Sequence, residues 1–207
     1  MSFLDILYPP RCLHCYERMT QHQRLCSTCL PHFTLLPKEG HCLKCGAGIS
    51  LISGTCQTCR THSHQLKRFG VCFDAFGPAS SLVRSFLRTQ HPDLAREIAS
   101  LMVIQLETLD FGDLDLVTMI PNAIFNPQYA VGRLVAKNLG LPFFSAIRRE
   151  IKPGINFVLK SHCNLIHKRL LLLDLTTTTR LPVQRAAQAL SRGWPQTQHG
   201  LTFCATC

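Results

Sequence analysis

Eight cysteines in the first 60 residues form four Cys-x-x-Cys pairs, and they constrain this region more than any other feature. The pairs are Cys12/Cys15, Cys26/Cys29, Cys42/Cys45 and Cys56/Cys59. Ten residues separate the first pair from the second and the third from the fourth, so one unit occurs twice. Two Cys-x-x-Cys turns complete a tetrahedral shell of four sulfurs that suits Zn²⁺. Because no position remains for water, we expect two structural zinc ions.

A disulfide framework is the alternative explanation for these cysteines, and it is typical of small secreted domains. Residues 1–10 (MSFLDILYPP) lack the basic start, the long apolar core and the cleavage site of a secretory signal. No run of about 18 apolar residues occurs, so we expect no membrane span. The sequence therefore favours a cytoplasmic chain whose reduced thiols bind metal. The spacing favours zinc ligation within each repeat, but it also allows a cross-braced pairing of the first pair with the third.

Length and charge limit what the rest of the chain can be. The 207 residues predict a zinc-binding module over 1–64 and one conventional domain over 65–207. The module has short loops and few apolar runs, so its folding free energy must come largely from the metal. The formal charge is +10, and eight thiolates with two zinc ions lower it to about +6. A basic surface favours nucleic acid, phosphorylated metabolites or acidic membrane, although basic solubility alone also accounts for it.

From residue 68 onward, apolar segments of strand length and helix length alternate. We predict strands at 68–73, 116–120, 141–147, 170–174 and 201–205, and helices at 79–89, 92–109, 127–138 and 182–192. Gly140 is expected to adopt the left-handed conformation just after the third helix. The alternation predicts an α/β domain with a mostly parallel sheet and helices on both faces.

One predicted strand-to-helix junction carries a candidate ligand site. The strand 170–174 ends at Asp174 and leads into a segment of four threonines followed by Arg180. Ligands of parallel sheets bind beyond the carboxyl ends of the strands, and hydroxyls with backbone N–H groups at a helix N-terminus bind anions. Arg180 would add a bidentate phosphate contact. In the alternative interpretation, the threonines only cap the following helix.

Several segments carry a resemblance to a known family over nearly the whole chain. They are Leu7–Pro10 with the cysteine pairs up to Gly46, Phe86–Arg88 with Asp93–Ala95, Asp115–Pro121, Phe125–Asn126, Gln128 and Leu134–Ala136. Together they resemble the ComF family, the phosphoribosyltransferase-like proteins of bacterial natural transformation. The resemblance implies a type I phosphoribosyltransferase-like α/β domain after a double zinc ribbon. It also implies a role with incoming single-stranded DNA, and DNA-uptake or helicase proteins as partners.

The family's phosphoribosyl pyrophosphate loop has the form V-D-D-V-x-T-T-G-A-T, with an acidic pair for the ribose and a T-T-G turn for the 5′-phosphate. Aligned here, Asp174 is the second acid, and Thr177 and Thr178 are the threonines. Leu173 replaces the first acid and Thr179 replaces the glycine, which disfavours positive φ and crowds the approach to phosphate. We therefore predict a degenerate loop, without catalytic residues, over Asp174, Thr177, Thr178, Thr179 and Arg180. Mg²⁺ is expected only if phosphoribosyl pyrophosphate still binds.

Three function hypotheses follow from this resemblance. In the first, the chain binds incoming single-stranded DNA, with Tyr16, Phe33 and Phe76 as aromatics that could stack on bases. In the second, it transfers a phosphoribosyl group through Asp174 and Mg²⁺. In the third, it is a catalytically inactive scaffold for DNA-uptake proteins. We expect Phe33 and Phe76 to lie in the core, Trp194 to serve packing, and Cys204 with Cys207 to form a fifth pair without a fixed partner.

Overall fold

The computed structural model describes residues 9–20, 23–50, 54–61, 64–122, 126–150 and 156–206. The strands are β1 (Arg68–Asp74), β2 (Leu116–Met119), β3 (Ile147–Arg149), β4 (Phe157–Leu159), β5 (Arg169–Thr177) and β6 (Thr197–Ala205). The helices are α1 (Gln57–Thr61), α2 (Pro78–Thr89), α3 (Pro92–Leu109), α4 (Gln128–Asn138) and α5 (Leu181–Ser191), with a 3₁₀ turn at Leu30–His32.

Four parallel strands form the central sheet, in the order β1-β6-β5-β2. Side chains alternate between its two faces, because successive residues of a strand point in opposite directions. Leu171 and Leu173 of β5 pack under α2, α3 and α4, whereas Leu170 and Leu172 face α5 and the antiparallel pair β3–β4. The predicted α/β fold, a parallel sheet with helices on both faces behind an N-terminal zinc module, is confirmed.

The predicted strand at 141–147 is wrong. Phe143 forms one isolated parallel bridge to Val117 of β2, flanked by backbone hydrogen bonds from Val117 N–H to Pro142 O and from Phe144 N–H to Val117 O. Pro142 has no N–H to donate, so the pairing does not extend. The chain then turns, and Ile147 begins β3, which pairs with β4 outside the main sheet. The prediction also missed β4, because its three residues form too short an apolar run.

Two helix ends show where the left-handed residues lie. Gly140 has φ +67 just after α4, as predicted. Beyond α5 it is Trp194, not Gly193, that is left-handed, with φ +54. An added Cβ on Gly193 would meet Leu165 at 3.0 Å, so this glycine is needed for close packing rather than for its dihedral angle.

The zinc module covers the outer edge of β1, which is the first strand of the sheet. Phe69 N–H donates to Leu43 O at 2.8 Å, and Leu36 N–H donates to Cys72 O at 2.8 Å. The buried amide of Gln105, on α3, donates to Leu36 O at 2.9 Å and to Val71 O at 3.0 Å. We call this set of bonds the seam. It satisfies backbone groups that an uncovered edge strand would leave open to other chains.

Candidate functional site: zinc centres, loop and basic groove

Two clusters of four sulfurs lie in the N-terminal module, each built from one sequence repeat. The clusters are Cys12, Cys15, Cys26 and Cys29, and Cys42, Cys45, Cys56 and Cys59, with the sulfurs of each within 4.8 Å of one another. The Sγ atoms of Cys15 and Cys26 are 3.6 Å apart, and those of Cys45 and Cys56 are 3.7 Å apart. A tetrahedron with Zn–S bonds of about 2.3 Å has edges of about 3.8 Å. Ligation therefore runs within each repeat, and the cross-braced alternative is excluded.

The two repeats have the same backbone, offset by thirty residues. Cys12 N–H donates to Glu17 O at 3.0 Å, and Cys42 N–H donates to Ala47 O at 2.7 Å. The residue after the second cysteine is left-handed in both, with φ 62 at Tyr16 and φ 71 at Gly46. Tyr16 lies at the surface, where there is room for its side chain despite the left-handed backbone. Gly46 has no such room, because an added Cβ would meet Val71 Cγ2 of β1 at 2.8 Å. The second repeat is therefore the one pressed against the sheet.

Backbone N–H groups point at the sulfurs and favour the thiolate forms that zinc requires. Cys56 N–H donates to Cys42 Sγ at 3.2 Å. The backbone N–H of Cys59 lowers the pKa of the Cys56 thiol to about 7. These donors also reduce the cost of holding the negative charge of a four-thiolate zinc centre.

Of the predicted loop, Asp174 and Thr177 lie inside the fold. The structure places Asp174 within β5, 4% exposed, where its carboxylate accepts from Leu175 N–H at 2.9 Å. Burial raises its pKa from 3.8 to about 7. The neighbouring hydroxyl of Thr202 on β6 is buried and has no hydrogen-bond partner in the described part of the chain.

The threonines of the predicted loop bond to the protein itself. The Thr177 hydroxyl donates to Thr179 O at 2.8 Å, which closes the turn. The Thr206 hydroxyl donates to Thr178 O at 2.8 Å, and Thr206 N–H donates to Thr177 O at 3.3 Å. Thr206, just after β6, therefore holds this turn in place through two hydrogen bonds. Thr178 and Thr179 are exposed, and the carbonyl groups of Thr177, Thr178 and Thr179 are all taken up by bonds within the protein.

Arg180 turns toward the second zinc centre. With Lys44 and Cys45 it lines a cavity of about 420 Å³ between this ribbon and α5. Burial raises the pKa of the Cys45 thiol, and the positive charge of Arg180 acts in the opposite direction. A zinc ion with four thiolates carries two net negative charges, so Lys44 and Arg180 balance it.

The positive charge of the chain is concentrated in its C-terminal half, which whole-chain composition conceals. Residues 116–207 contain eleven Lys and Arg but only two Asp and Glu. One of the two acids is the buried Asp174. Counting charge by segment rather than over the whole sequence would have found this asymmetry.

A polar groove of about 290 Å³ lies between the β3–β4 pair and α5. Arg185 and Gln188 of α5 and Arg192, the residue that follows this helix, are spaced at i, i+3 and i+7 and line this groove. Glu150 lines the opposite wall. In the described residues, neither arginine has an ion-pair partner. We call this the basic groove.

Three aromatic predictions have different outcomes. Phe33 stacks on Phe73 with ring centroids 4.5 Å apart, so its assignment to the core is confirmed. Phe76 is 81% exposed and Trp194 is 78% exposed, so the core and packing predictions for these two are wrong. Of the predicted fifth cysteine pair, Cys204 is buried in β6 and Cys207 lies outside the described residues.

Comparison with known proteins identifies the N-terminal region. Residues 3–60 match the double zinc ribbon domain, in agreement with the two four-cysteine sites. The chain therefore begins with a double zinc ribbon that holds two structural zinc ions. No curated protein sequence matches the chain significantly.

Solved structures with partial similarity to the chain include three phosphoribosyltransferases. Adenine phosphoribosyltransferase from Thermoanaerobacter pseudethanolicus is 12% identical with a TM-score of 0.42, over 56% of this chain and 82% of that one. The adenine enzyme of Leishmania tarentolae is 13% identical with a TM-score of 0.39, over 61% and 74%. The hypoxanthine-guanine enzyme of L. donovani is 10% identical with a TM-score of 0.35, over 52% and 67%.

Cys26→Ser and Cys56→Ser are each expected to lower the zinc content from two ions to one per chain, because each removes one thiolate from a separate site. Metal analysis after gel filtration measures this. Cys163→Ser, outside both clusters, should keep two ions. Loss of both ions from either ligand variant would contradict two independent sites.

Asp174→Asn is expected to stabilise the protein more at about pH 8 than at about pH 5.5, by about 2 kcal/mol. The folded protein keeps the Asp174 proton up to a pKa of about 7, well above the pKa of this carboxyl in the unfolded chain. Its contribution to stability is therefore lost as pH rises through 7. Urea unfolding followed by circular dichroism measures the difference. Glu107→Gln, at an exposed carboxylate, is the control, and a pH-independent gap between Asp174→Asn and the wild type would contradict the prediction.

Proposed function

We propose that this protein binds single-stranded DNA in the cytoplasm, as a ComF-like protein of natural transformation, and transfers no phosphoribosyl group. The observation that carries the proposal is the basic groove on a half-chain that is strongly cationic. The double zinc ribbon supports the ComF-like architecture. None of the described helices is long and apolar enough to cross a membrane.

The geometry of the loop argues against the enzyme hypothesis. A ribose-binding acid must reach its ligand, yet Asp174 is buried and its pKa is raised by that burial. A phosphate-binding turn needs free donors, yet the Thr177 hydroxyl is bonded to Thr179 O. Because Leu173 replaces the other acid, no second carboxylate compensates. Bound phosphoribosyl pyrophosphate with Mg²⁺ would require this part of the fold to open.

The basic groove suits a phosphate backbone. Arg192 follows the last residue of α5 and keeps a helical backbone conformation, so it lies about 10 Å along the helix axis from Arg185, seven residues earlier. Two guanidinium groups at this spacing can contact phosphates that are not adjacent, and the release of counterions drives such binding. Gln188 between them supplies a neutral donor.

An inactive scaffold is the second candidate, and one surface favours it. Leu30 of the first ribbon is 57% exposed and borders an open groove together with Phe33, Leu82 and Leu101. An apolar groove of this kind could dock a helicase or another DNA-uptake protein. In that case the chain would contact DNA only through its partner.

The double variant Arg185→Gln/Arg192→Gln is expected to weaken oligonucleotide binding and to reduce the slope of log affinity against log salt by about 1.4, because two phosphate contacts are lost. Fluorescence anisotropy of a labelled single strand with zinc-loaded protein measures this. Arg84→Gln, exposed on α2 across the sheet, is the matched control.

The same titration tests the alternatives. Wild-type binding that is steep in salt and unaffected by phosphoribosyl pyrophosphate with Mg²⁺ is the expected result. Displacement of the DNA by phosphoribosyl pyrophosphate would support a working transferase loop. Absent or salt-insensitive binding would favour the scaffold.

A further inference from the structure

We propose that Trp194 is a base-stacking platform for single-stranded DNA, at the amino edge of the sheet and therefore opposite the edge where the threonine loop lies. This inference rests on the proposed function. It adds that Trp194 contacts the bases and that the protein prefers single-stranded to duplex DNA. Trp194 is the only tryptophan of the chain, and it lies between the end of α5 and the start of β6.

The indole is held out into solvent by a defined backbone. Trp194 has φ +54 and its neighbour in space, His167, has φ +58, and a hydrogen bond of 3.1 Å from His167 N–H to Trp194 O joins them. Trp194 N–H donates to Ser191 O at 3.1 Å. Left-handed conformations cost free energy in residues with a side chain, roughly 1–3 kcal/mol each. An aromatic ring is otherwise expected to bury its large apolar surface, but these two left-handed residues keep the indole exposed.

The support beneath this corner is rigid. Gly193 has no room for a side chain, since an added Cβ would meet Leu165 at 3.0 Å and Leu159 of β4 at 3.2 Å. Gln196 N–H donates to Lys168 O at 3.0 Å, which fixes the chain on the other side of the tryptophan. A ring on a preorganised corner loses little conformational entropy when a base stacks on it.

The charges around Trp194 suit a strand that also contacts the basic groove. Arg192, which lines that groove, precedes Trp194 by two residues, and the exposed Lys168 follows His167. The nearby carboxylates Asp113 and Asp115 are ion-paired with Arg169, at 2.8 Å each. Exposed aromatics beside a cationic groove are the arrangement by which proteins bind single strands, because an unpaired base offers its face and a duplex does not.

The emission of this single tryptophan provides a direct test without any label. Titration of the zinc-loaded full chain with oligo(dT) should quench the emission, and the quenching should saturate together with the anisotropy of a labelled oligonucleotide. The matching duplex should quench far less. Trp194→Phe should keep most of the affinity, whereas Trp194→Ala should weaken binding roughly 5- to 100-fold with the salt slope unchanged.

A matched control separates this inference from the proposed function. Phe76→Ala removes another exposed aromatic, which follows β1 at the carboxyl edge, and should leave the affinity unchanged. Suppose that the wild type binds DNA with a steep salt dependence, that its emission is not quenched, and that Trp194→Ala does not alter the affinity. These results would overturn the stacking platform but leave the proposed function standing. No binding by the wild type would overturn both. A blue shift of the emission on phosphatidylserine vesicles, with no response to oligo(dT), would overturn the inference in favour of membrane docking.

Discussion

Coordination of each zinc ion by four thiolates is the interaction on which the N-terminal module of this fold depends. The ribbons contain few apolar residues, and their own clusters hold little besides the cysteines and a handful of aliphatic side chains. Metal binding therefore supplies the folding free energy that a core would supply elsewhere. The consequence extends beyond the ribbons, because Leu43 of the second ribbon and Leu36, which lies between the two zinc sites, bond to the outer edge of β1 through the seam.

The carboxyl edge of the sheet, where parallel α/β sheets bind their ligands, is occupied by the protein's own contacts in this chain. Asp174 is buried, the turn after β5 is tied to Thr206, and Arg180 faces the second zinc centre. The two arginines of the basic groove, Arg185 and Arg192, have no ion-pair partner among the described residues and lie away from this loop. This distribution of charge is the basis on which we propose binding of a polyanion rather than chemistry on a small phosphorylated substrate.

Local spacing was enough to predict the zinc sites, and apolar periodicity was enough for the four strands of the main sheet and its helices. Spacing alone did not decide which two Cys-x-x-Cys pairs share a zinc ion, because this depends on the path of the chain between the pairs. Pro142 interrupted a strand that the apolar pattern favoured, and β4 is too short to leave a pattern. The exposure of Phe76 and Trp194 depends on tertiary packing, since aromatic residues are buried by default. The charge asymmetry was readable in the sequence, but a whole-chain count averages it away.

Amide hydrogen exchange with and without zinc tests most directly whether the metal sites support the edge of the sheet. A chelator is expected to remove the protection of the Phe69 amide, whose acceptor is Leu43 O in the ribbon, while the β5 amides at the centre of the sheet stay protected. A Phe69 amide that keeps its protection in the zinc-free protein would contradict this expectation.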